Sequence, residues 1–475
     1  MEPREGAEDR RSSVPLRLPA EEMRALGHQA VDEIVRHLET LDERPVTRPW
    51  DRRELDDLFD IPLPEEPGDP RKTLAETVEQ VRATMSHPDH PRMLAFVPGP
   101  GNFVGAVADF VAAGLNAHVA TWVLGPGPAV IERVTIGWLC RLAGLPERAG
   151  GLFLSGGTMA SLVALHAARR DRRGDTVYVT GQTHAAIRRG LGFLGFDDDQ
   201  VRTVEVDGEY RMDPRALERR VTEDASQGRR PFCVVATAGT TSTGAVDPLP
   251  EIADVCARHG LWLHVDGAYG AAATIVDAPV LEGLDRADSI ALDPHKWLFQ
   301  PYESACLLVR DESTLVGAYA MDAEYLRENR LGDRTLNMYD YGPEASRGFR
   351  ALKLWLSLRT FGLEAFRRAV RHGIALAEHA EAELAARPEW EIVTPARLGI
   401  VTFRPRAAGR TDADIDALTR ELVARGRADG FALVLSTELD DRPVLRICAI
   451  HPETTHDDLT AVITRLQETL TGLLD

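Results

Sequence analysis

The segment SIALDPHKWLFQ, residues 289–300, joins a short apolar strand to a lysine that stands between a histidine and a tryptophan. In a partly desolvated site a lysine has a lowered pKa and becomes a usable amine nucleophile. The alternative for Lys296 is a surface residue whose ammonium group reaches water along its alkyl stem. The apolar strand before it favours a position at the mouth of a ligand crevice, with Trp297 packed beneath.

Further strands and helices alternate around this segment, from about residue 86 to residue 310. The strand-like pieces GLFLSGG, DTVYVTG, FCVVATAG, LWLHVDGAYG and ACLLVRD are separated by helical sequences. Strands that are apolar throughout and alternate with helices predict a mainly parallel sheet covered on both faces. The chain is therefore predicted to be an α/β protein that binds its ligand beyond the carboxyl ends of the strands.

Three regions are predicted along the chain. Residues 1–85 form an N-terminal helical arm, in which LPAEEMRALGHQAVDEIVRHLETL carries apolar residues at helical spacing. Residues 86–345 form the large domain. Residues 346–475 form a small C-terminal α+β domain with the strand-like pieces LGIVTFRPR and PVLRICAIH. The arm cannot bury its apolar stripe alone, so we expect it to pack against another subunit.

The composition argues against several classes of partner. A net charge of −19 disfavours nucleic acid and anionic membranes. Five cysteines without a C-x-x-C pair are typical of reduced thiols rather than of a disulfide framework or a zinc site, so no metal is expected. The N-terminus has no apolar signal core, and polar residues within the apolar stretch 103–124 favour a buried helix and a loop over a membrane span. The protein is therefore expected to be cytoplasmic.

Polar residues stand where two of the predicted strands give way to helices. In SGGTMAS, residues 155–161, the glycines let backbone amides approach an anion, and a helix N-terminus favours a phosphate. The alternative is a tight turn with Thr158 as the N-cap. His184, in GQTHAAIRRG, lies at a corresponding strand end, where a structural histidine is the alternative to a catalytic one.

Asp266 ends the apolar strand LWLHVD, where a carboxylate must be paired or hydrogen-bonded to stay charged. It either caps a neighbouring helix or pairs with a cationic nitrogen of a ligand. Together with Lys296 and the glycine turn, it fits a ligand with a phosphate, an aldehyde and a protonated ring nitrogen. That ligand is pyridoxal 5′-phosphate (PLP), whose ring acts as an electron sink.

The chain resembles the group II PLP-dependent decarboxylases, which include the aromatic-L-amino-acid, histidine and glutamate decarboxylases. The motifs HVDGAYG and DPHKW carry the resemblance, with support from SGGT, ATAGTTSTGAVDPL and RGFRALKLW. It implies the aspartate aminotransferase-like fold, which is fold type I of the PLP-dependent transferases. It also implies a homodimer with active sites at the subunit interface, and decarboxylation of an aromatic or related L-amino acid to the amine and CO₂.

The resemblance assigns roles to the residues at the strand ends. Lys296 would form a Schiff base with the cofactor, Asp266 would pair with the pyridine nitrogen, and His184 would stack on the ring. The other implied cofactor-binding residues are Gly156, Gly157, Thr158, Thr240, Ala268, His295 and Gly362, of which the last would reach across from the partner subunit.

The chain departs from the family in the loop that carries a catalytic tyrosine in aromatic decarboxylases, here RLGDRTLNMYDYGPEASRG. An alignment without a gap places Met338 at the tyrosine position, whereas a shift of one residue places Tyr339 there, and Tyr341 lies nearby. We assign the catalytic role to Tyr339. If no tyrosine reached the alpha carbon, oxygen would intercept the reaction, and decarboxylation with oxidative deamination would give an aldehyde.

The predicted substrate wall is also unusual. Phe96, Pro98 and Gly99 lie in LAFVPGPGN, which resembles the substrate loop of the family. His118 and Ala120 stand where aromatic decarboxylases have Ile and Phe, which enlarges the pocket. His118 either hydrogen-bonds a polar substrate side chain or contacts a loop carbonyl. Another PLP reaction on a modified amino acid, and a PLP-binding protein without catalysis, are the remaining alternatives.

Overall fold

The computed structural model describes residues 16–276, 278–322, 324 and 335–475. The described residues divide into two compact units, with the boundary after residue 87. The domain boundaries predicted at residues 85 and 345 stay predictions. Residues 330–334 of the predicted catalytic loop lie outside the described residues.

The first unit consists of helices, two of which begin at acidic N-caps. The helices are α1 (Ala20–Glu39), α2 (Arg52–Phe59) and α3 (Pro70–Thr84). Asp51 and Asp69 accept hydrogen bonds from first-turn amides of α2 and α3. Arg82 of α3 pairs with Glu33 of α1 at 2.6 Å, which fixes the two helices together. The fully described α1 has no buried residue, so its apolar stripe is open.

The second unit contains a seven-stranded sheet with the order β1-β7-β6-β5-β4-β2-β3. The strands are β1 (Gly150–Leu154), β2 (Thr176–Thr180), β3 (Val201–Val204), β4 (Pro231–Thr237), β5 (Trp262–Asp266), β6 (Ser289–Leu292) and β7 (Ala305–Val309). Strands β3, β2, β4, β5 and β6 are parallel to one another, whereas β7 runs antiparallel to β6 and β1. The prediction of an α/β protein with a mainly parallel sheet is confirmed.

Helices cover both faces of this sheet, since β1, β2, β5 and β7 are buried at every residue. This burial explains why the strands form continuous apolar runs in the sequence. The helices of the second unit are α4 (Phe103–Gly114), α5 (Pro126–Leu142), α6 (Gly157–Arg172), α7 (Ala185–Phe193), α8 (Pro214–Ser226), α9 (Leu249–His259), α10 (Pro294–Trp297), α11 (Ser313–Tyr319), α12 (Ala351–Phe361), α13 (Leu363–Ala385), α14 (Asp412–Asp429) and α15 (His456–Leu474).

A smaller antiparallel sheet lies in the C-terminal part of the second unit, with the order β10-β11-β9-β8. Its strands are β8 (Trp390–Arg397), β9 (Ile400–Pro405), β10 (Leu435–Leu439) and β11 (Arg442–Cys448). Phe403 and Ile447 of the sheet pack with Leu422 of α14 and Leu459 of α15 in a separate apolar core. The predicted small α+β region is therefore present, and the architecture is that of fold type I.

The stretch 103–124 forms a helix and a loop, as predicted, but its predicted burial is wrong. α4 packs against α12 along one side, while Phe110 and Leu115 are 67% and 74% exposed. Among the described residues, no helix combines the length and the apolarity of a membrane span. All five cysteines are free and buried, in agreement with the predicted absence of a disulfide framework.

Candidate active site

A cavity of about 230 Å³ lies at the carboxyl ends of β4 and β5 and at the start of α6, α7 and α10. This is the edge at which a parallel sheet is expected to bind its ligand. The cavity is lined by Gly156, Gly157, Thr158, Ser161, Gln182, His184, Ala186, Ile187, Thr237, Gly239, Thr241, Asp266, Ala268, Tyr269, Asp293, His295 and Lys296. Most of the predicted cofactor-binding residues therefore meet in one place.

Lys296 lies on α10, the single helical turn that follows β6. Its Nζ atom is 3.1 Å from Oδ2 of Asp293. Burial acts to lower the pKa of Lys296, but the carboxylates of Asp293 and Asp266 outweigh burial and raise that pKa above its usual value. The sequence-based expectation of a lowered pKa is wrong, because two carboxylates face the ammonium group. Trp297 is fully buried and stacks on Tyr269 at 4.9 Å, in agreement with its predicted packing.

Sequence reasoning assigned no role to Asp293, although it stands in the motif DPHKW. His295 accepts a hydrogen bond at Nδ1 from the Ser304 backbone amide, at 3.1 Å. In the neutral ring Nε2 therefore carries the hydrogen, 3.5 Å from Oδ2 of Asp293, and burial lowers the pKa of His295, which favours that neutral form. Oδ1 of Asp293 is buried and has no hydrogen-bond partner among the described residues. An unpartnered buried carboxylate oxygen in a cavity wall indicates a place for a ligand donor.

Asp266 ends β5 and is 8% exposed. Its Oδ1 accepts a hydrogen bond from the backbone amide of Ala268, at 3.2 Å. This bond fixes the carboxylate at the strand end, where it borders the cavity. The predicted alternative of helix capping does not describe this contact, because the amide belongs to the turn that follows the strand.

The glycine turn after β1 leaves backbone amides open to the cavity. The N-cap of α6 is Gly156, which provides no capping side chain, so the alternative of Thr158 as N-cap is wrong. A Cβ atom on Gly157 would lie 3.0 Å from both Ala268 Cβ and Asp293 Oδ2. Only a residue without a side chain fits this close approach. The first-turn amides of a helix that has no capping side chain suit an anion.

His184 caps a helix and also borders the cavity, while its catalytic role stays a prediction. It is the N-cap of α7, where its Nδ1 accepts a hydrogen bond from the Ala186 amide at 3.2 Å. The same residue is exposed and lines the cavity. Because Nδ1 acts as the acceptor, the neutral ring carries its hydrogen on Nε2.

Several predicted site residues lie beside the cavity or away from it. Thr240 is buried and hydrogen-bonds Thr243 at 2.7 Å, while its two chain neighbours line the cavity. Gly99 lies against the cavity wall, since a Cβ atom there would be 2.2 Å from the backbone oxygen of His295. Phe96 is 66% exposed. Gly362, with φ of 73°, joins α12 to α13 and meets open space.

The segments around His118 and Tyr339 contact each other. Neither of these two residues lines the cofactor cavity. The Tyr339 amide donates to the Ala120 carbonyl at 3.2 Å, and both side chains are buried in one small apolar cluster. Nδ1 of His118 is buried and lacks a hydrogen-bond partner within the described ranges. The alternative prediction is a hydrogen bond between His118 and a loop carbonyl. Among the described residues, Nδ1 makes no such bond.

Tyr302 is a neighbour of the site that sequence reasoning missed. Its ring lies 4.7 Å from that of His295, and a Cβ atom on Gly99 would be 2.8 Å from its hydroxyl oxygen. No sequence pattern marks this residue, because it reaches the site from the turn after α10.

His264 lies behind the cavity, two residues before Asp266 in β5. Its Nδ1 is 2.9 Å from Oγ of Ser289, and its Nε2 is 3.2 Å from Oγ of Ser161. Burial lowers the pKa of His264 from 6.5 to about 4. The imidazole is therefore neutral in the native protein at neutral pH.

We expect His264 to contribute to acid lability. As the pH falls from 6.5 to about 4, the unfolded chain binds a proton at His264 that the native protein does not. Stability is thus fully present above pH 6.5 and is lost toward pH 4, by up to about 3 kcal/mol. Urea unfolding across this range should give a flatter dependence on pH for His264→Gln than for the wild type. An unchanged slope, or the same flattening in the exposed-residue control His28→Gln, would contradict the assignment.

The cavity residues fit PLP. The glycine turn suits a phosphate, Asp266 a protonated ring nitrogen, and Lys296 an aldehyde. Oδ1 of Asp293 and Oγ1 of Thr237 are buried, lack hydrogen-bond partners among the described residues, and are further polar atoms in the cavity wall. The fold and this set of groups define a PLP-dependent enzyme of fold type I.

Residues 52–406 match the family model of the pyridoxal-dependent decarboxylase conserved domain. The chain therefore belongs to the pyridoxal-dependent decarboxylase family, and it is a PLP-dependent amino-acid decarboxylase.

Several enzymes are similar to this chain over nearly its whole length. An aromatic-L-amino-acid decarboxylase of Bacillus atrophaeus is 44% identical, over 96% of this chain and 97% of its own length. A phenylacetaldehyde synthase of Arabidopsis thaliana is 30% identical, over 91% of this chain and 92% of its own. The crystal structure of Oryza sativa TDC with PLP and tryptamine has a TM-score of 0.90 at 30% identity, covering 96% of this chain and 99% of that one.

Proposed function

We propose that this decarboxylase converts an aromatic L-amino acid to its amine. The main observation that supports this reaction is the position of Lys296. Its ammonium group faces the carboxylates of Asp293 and Asp266, beside a glycine turn suited to an anion. The names of the Bacillus and rice relatives support an aromatic substrate. The exposed ring of Phe96, in the segment that brings Gly99 against the cavity wall, is an apolar surface for such a substrate.

Each side chain of the cavity has its own part in the proposed reaction. When bound, PLP accepts the electrons released as the bond between the alpha carbon and the carboxylate breaks. Asp266 would hold a proton at the ring nitrogen, and Lys296 would be the amine that binds the aldehyde. Asp293 holds the Lys296 ammonium in position through its contact at 3.1 Å. His184 lines the cavity and carries its hydrogen on Nε2 in the neutral form, and the substrate carboxylate is the expected acceptor.

Tyr339 is our choice for the group that returns a proton to the alpha carbon. Met338 and Tyr341, the alternatives, line a different cavity of about 210 Å³ next to β1. Tyr339 instead packs on Ala120, one of the predicted substrate-wall residues. This placement favours Tyr339 over its two neighbours.

The expected effect of Tyr339→Phe is a change of product. Without the proton donor, each turnover would consume one O₂ and water and release CO₂, ammonia, hydrogen peroxide and the aldehyde instead of the amine. An oxygen electrode and a peroxide assay would measure the change, with Tyr341→Phe as the matched control. Amine formation that persists in Tyr339→Phe and fails in Tyr341→Phe would contradict the assignment. Aldehyde from the wild type would favour the second candidate function, an aldehyde synthase like the Arabidopsis relative.

We further propose a cytoplasmic homodimer with active sites at the subunit interface. The apolar stripe of α1, the exposed Phe110 of α4 and the exposed Leu115 after α4 are surfaces that a second subunit would cover. The segments of His118, Ala120 and Tyr339 lie outside the cofactor cavity of their own chain, so they are candidates to complete the site of the partner. The free, buried cysteines are compatible with a reducing compartment.

Mixed dimers test this arrangement. If Tyr339 serves the neighbouring site, a Lys296→Ala subunit and a Tyr339→Phe subunit together form one intact site. Co-expression of the two variants should restore amine formation to about one quarter of the wild-type level, the statistical share of intact sites. Each variant alone is the control. No recovery in a purified mixed dimer would show that Tyr339 acts within its own subunit or not at all.

The substrate class is tested with a panel of L-amino acids. Holoenzyme is incubated separately with tryptophan, tyrosine, phenylalanine, histidine and glutamate, and mass spectrometry identifies amine, aldehyde or unchanged acid. We expect an amine from at least one aromatic acid, with the highest kcat/KM in the panel. Faster turnover of histidine or glutamate would overturn the aromatic assignment while leaving the decarboxylase assignment intact.

A further inference from the structure

A second, larger cavity of about 940 Å³ lies between the last turn of α6, the end of α7 and the start of α11. We call it the arginine cleft, because Arg169, Arg170, Arg173 and Arg230 line it. Helix α6 begins at the cofactor cavity and ends at the arginine cleft, and its 16 residues rise about 24 Å. The cleft is therefore separate from the catalytic centre.

The positive charges of the cleft are largely uncompensated. Arg170 and Arg173 are exposed and make no ion pair within the part of the chain that the structure describes. Arg169 donates to the Leu194 carbonyl and lies 4.3 Å over the ring of Phe196, so its guanidinium is held in place without a carboxylate. The lining residue Asp171 pairs with Arg172 at 3.3 Å. A chain with a net charge of −19 thus concentrates cations in one concave place.

His166 lies at the inner side of the cleft, and the direction of its pKa shift is that expected in a positive electrostatic potential. Burial lowers the pKa of His166, and the charges of Arg170 and Arg169 lower it further. A bound anion would oppose these two charges.

The dipole of α6 accounts for only part of this arrangement. Cations in the last turn of a helix stabilise it, which explains the presence of Arg169 and Arg170. It does not explain Arg230, which comes from the segment before β4, where Asp175 holds it at 3.0 Å. Nor does it explain Phe193, whose side chain is 72% exposed at the rim of the same cleft.

We propose that the arginine cleft binds a nucleotide, with the phosphates on Arg170 and Arg173 and the base on Phe193. Guanidinium groups bind phosphate oxygens in pairs, and aromatic rings stack on bases. The volume of the cleft is within the range of small-molecule sites. A nucleic acid polymer fits less well, because the net charge of −19 repels a long polyanion outside the cleft.

Calorimetric titration of the holoenzyme with ATP, in EDTA, tests the proposal. We expect saturable binding that weakens with salt and that is at least about 10-fold weaker in the double variant Arg170→Gln/Arg173→Gln. The matched control is Arg215→Gln/Arg219→Gln, which removes two exposed arginines from α8 and should bind like the wild type. Inorganic triphosphate is the second probe. Phe193→Ala should weaken ATP binding and leave triphosphate binding unchanged.

The other outcomes overturn the proposal. They are no saturable binding by the wild type, an equal loss in the α8 control, equal affinity for ATP and triphosphate with no effect of Phe193→Ala, or tighter binding of a single-stranded DNA oligomer than of ATP. Decarboxylase activity of each variant, measured in parallel, shows that the protein is folded.

Discussion

Replacing Lys296 with alanine should lower decarboxylation on the order of 10³-fold or more, because the amine that binds the cofactor aldehyde is lost. The chain contains only three lysines, Lys72, Lys296 and Lys353. Lys353 is buried and donates to the Pro301 and Glu303 carbonyls, so it belongs to the packing of α12. The effect is measured as the rate of CO₂ release with saturating PLP.

The exposed lysine of α3 provides the control for this variant. Lys72→Ala removes the same charge and side chain from a position that is 74% exposed, and it should retain full activity. Decarboxylation by Lys296→Ala within about 10-fold of the wild type, with folding verified by circular dichroism, would contradict the role of Lys296.

The second large effect is expected for Asp266→Asn. An amide of the same shape keeps the acceptor for the Ala268 N–H. It removes the negative charge that we propose to hold a proton at the cofactor ring nitrogen. Electrostatic groups of this kind contribute about 10²–10³-fold to kcat, so we expect kcat to fall by about 100-fold or more. Cofactor retention should change less, because the phosphate and the aldehyde have other partners.

Steady-state kinetics and equilibrium dialysis of PLP separate these two effects. Asp254→Asn, at a position that is 57% exposed on α9, is the matched control. A variant that loses PLP and recovers full kcat at high PLP concentration would show that Asp266 only binds the cofactor. A kcat within about twofold of the wild type would contradict the electrostatic role.

The sequence predicted that Asp266, Lys296 and the glycine turn meet at one cavity, because they follow strand ends. Asp266 ends β5, Lys296 follows β6 and the glycine turn follows β1. In a mainly parallel sheet, neighbouring carboxyl ends meet at one edge, so local motifs that are far apart in sequence converge. The prediction needed only the pattern of strands and the chemistry of PLP.

The electrostatics of the lysine could not be predicted in the same way. Burial and a facing carboxylate shift the pKa of an ammonium in opposite directions. Which effect is larger depends on the distance between the ammonium and the carboxylate. The contact of 3.1 Å between Lys296 and Asp293 decides it in favour of the charged form. A motif gives the two residues but not their separation.

The arrangement of the predicted substrate wall could not be predicted from the sequence for a different reason. Ala120 is fixed by contacts to Tyr339, more than two hundred residues away in the chain. A gapless alignment selects Met338, whereas the folded chain directs Met338 toward another cavity and Tyr339 toward Ala120. The opposite directions of these two neighbours arise within a single turn of 3₁₀ helix over Met338–Asp340.

The central claim is that Lys296 holds the cofactor, and borohydride reduction of the holoenzyme tests it most directly. Reduction fixes the bond between the cofactor and its lysine, and peptide mass spectrometry then locates the added mass. We expect the added mass on the peptide that contains Lys296, and its absence from the peptides of Lys72 and Lys353. The added mass on either of those two lysines, or on none of the three, would contradict the account.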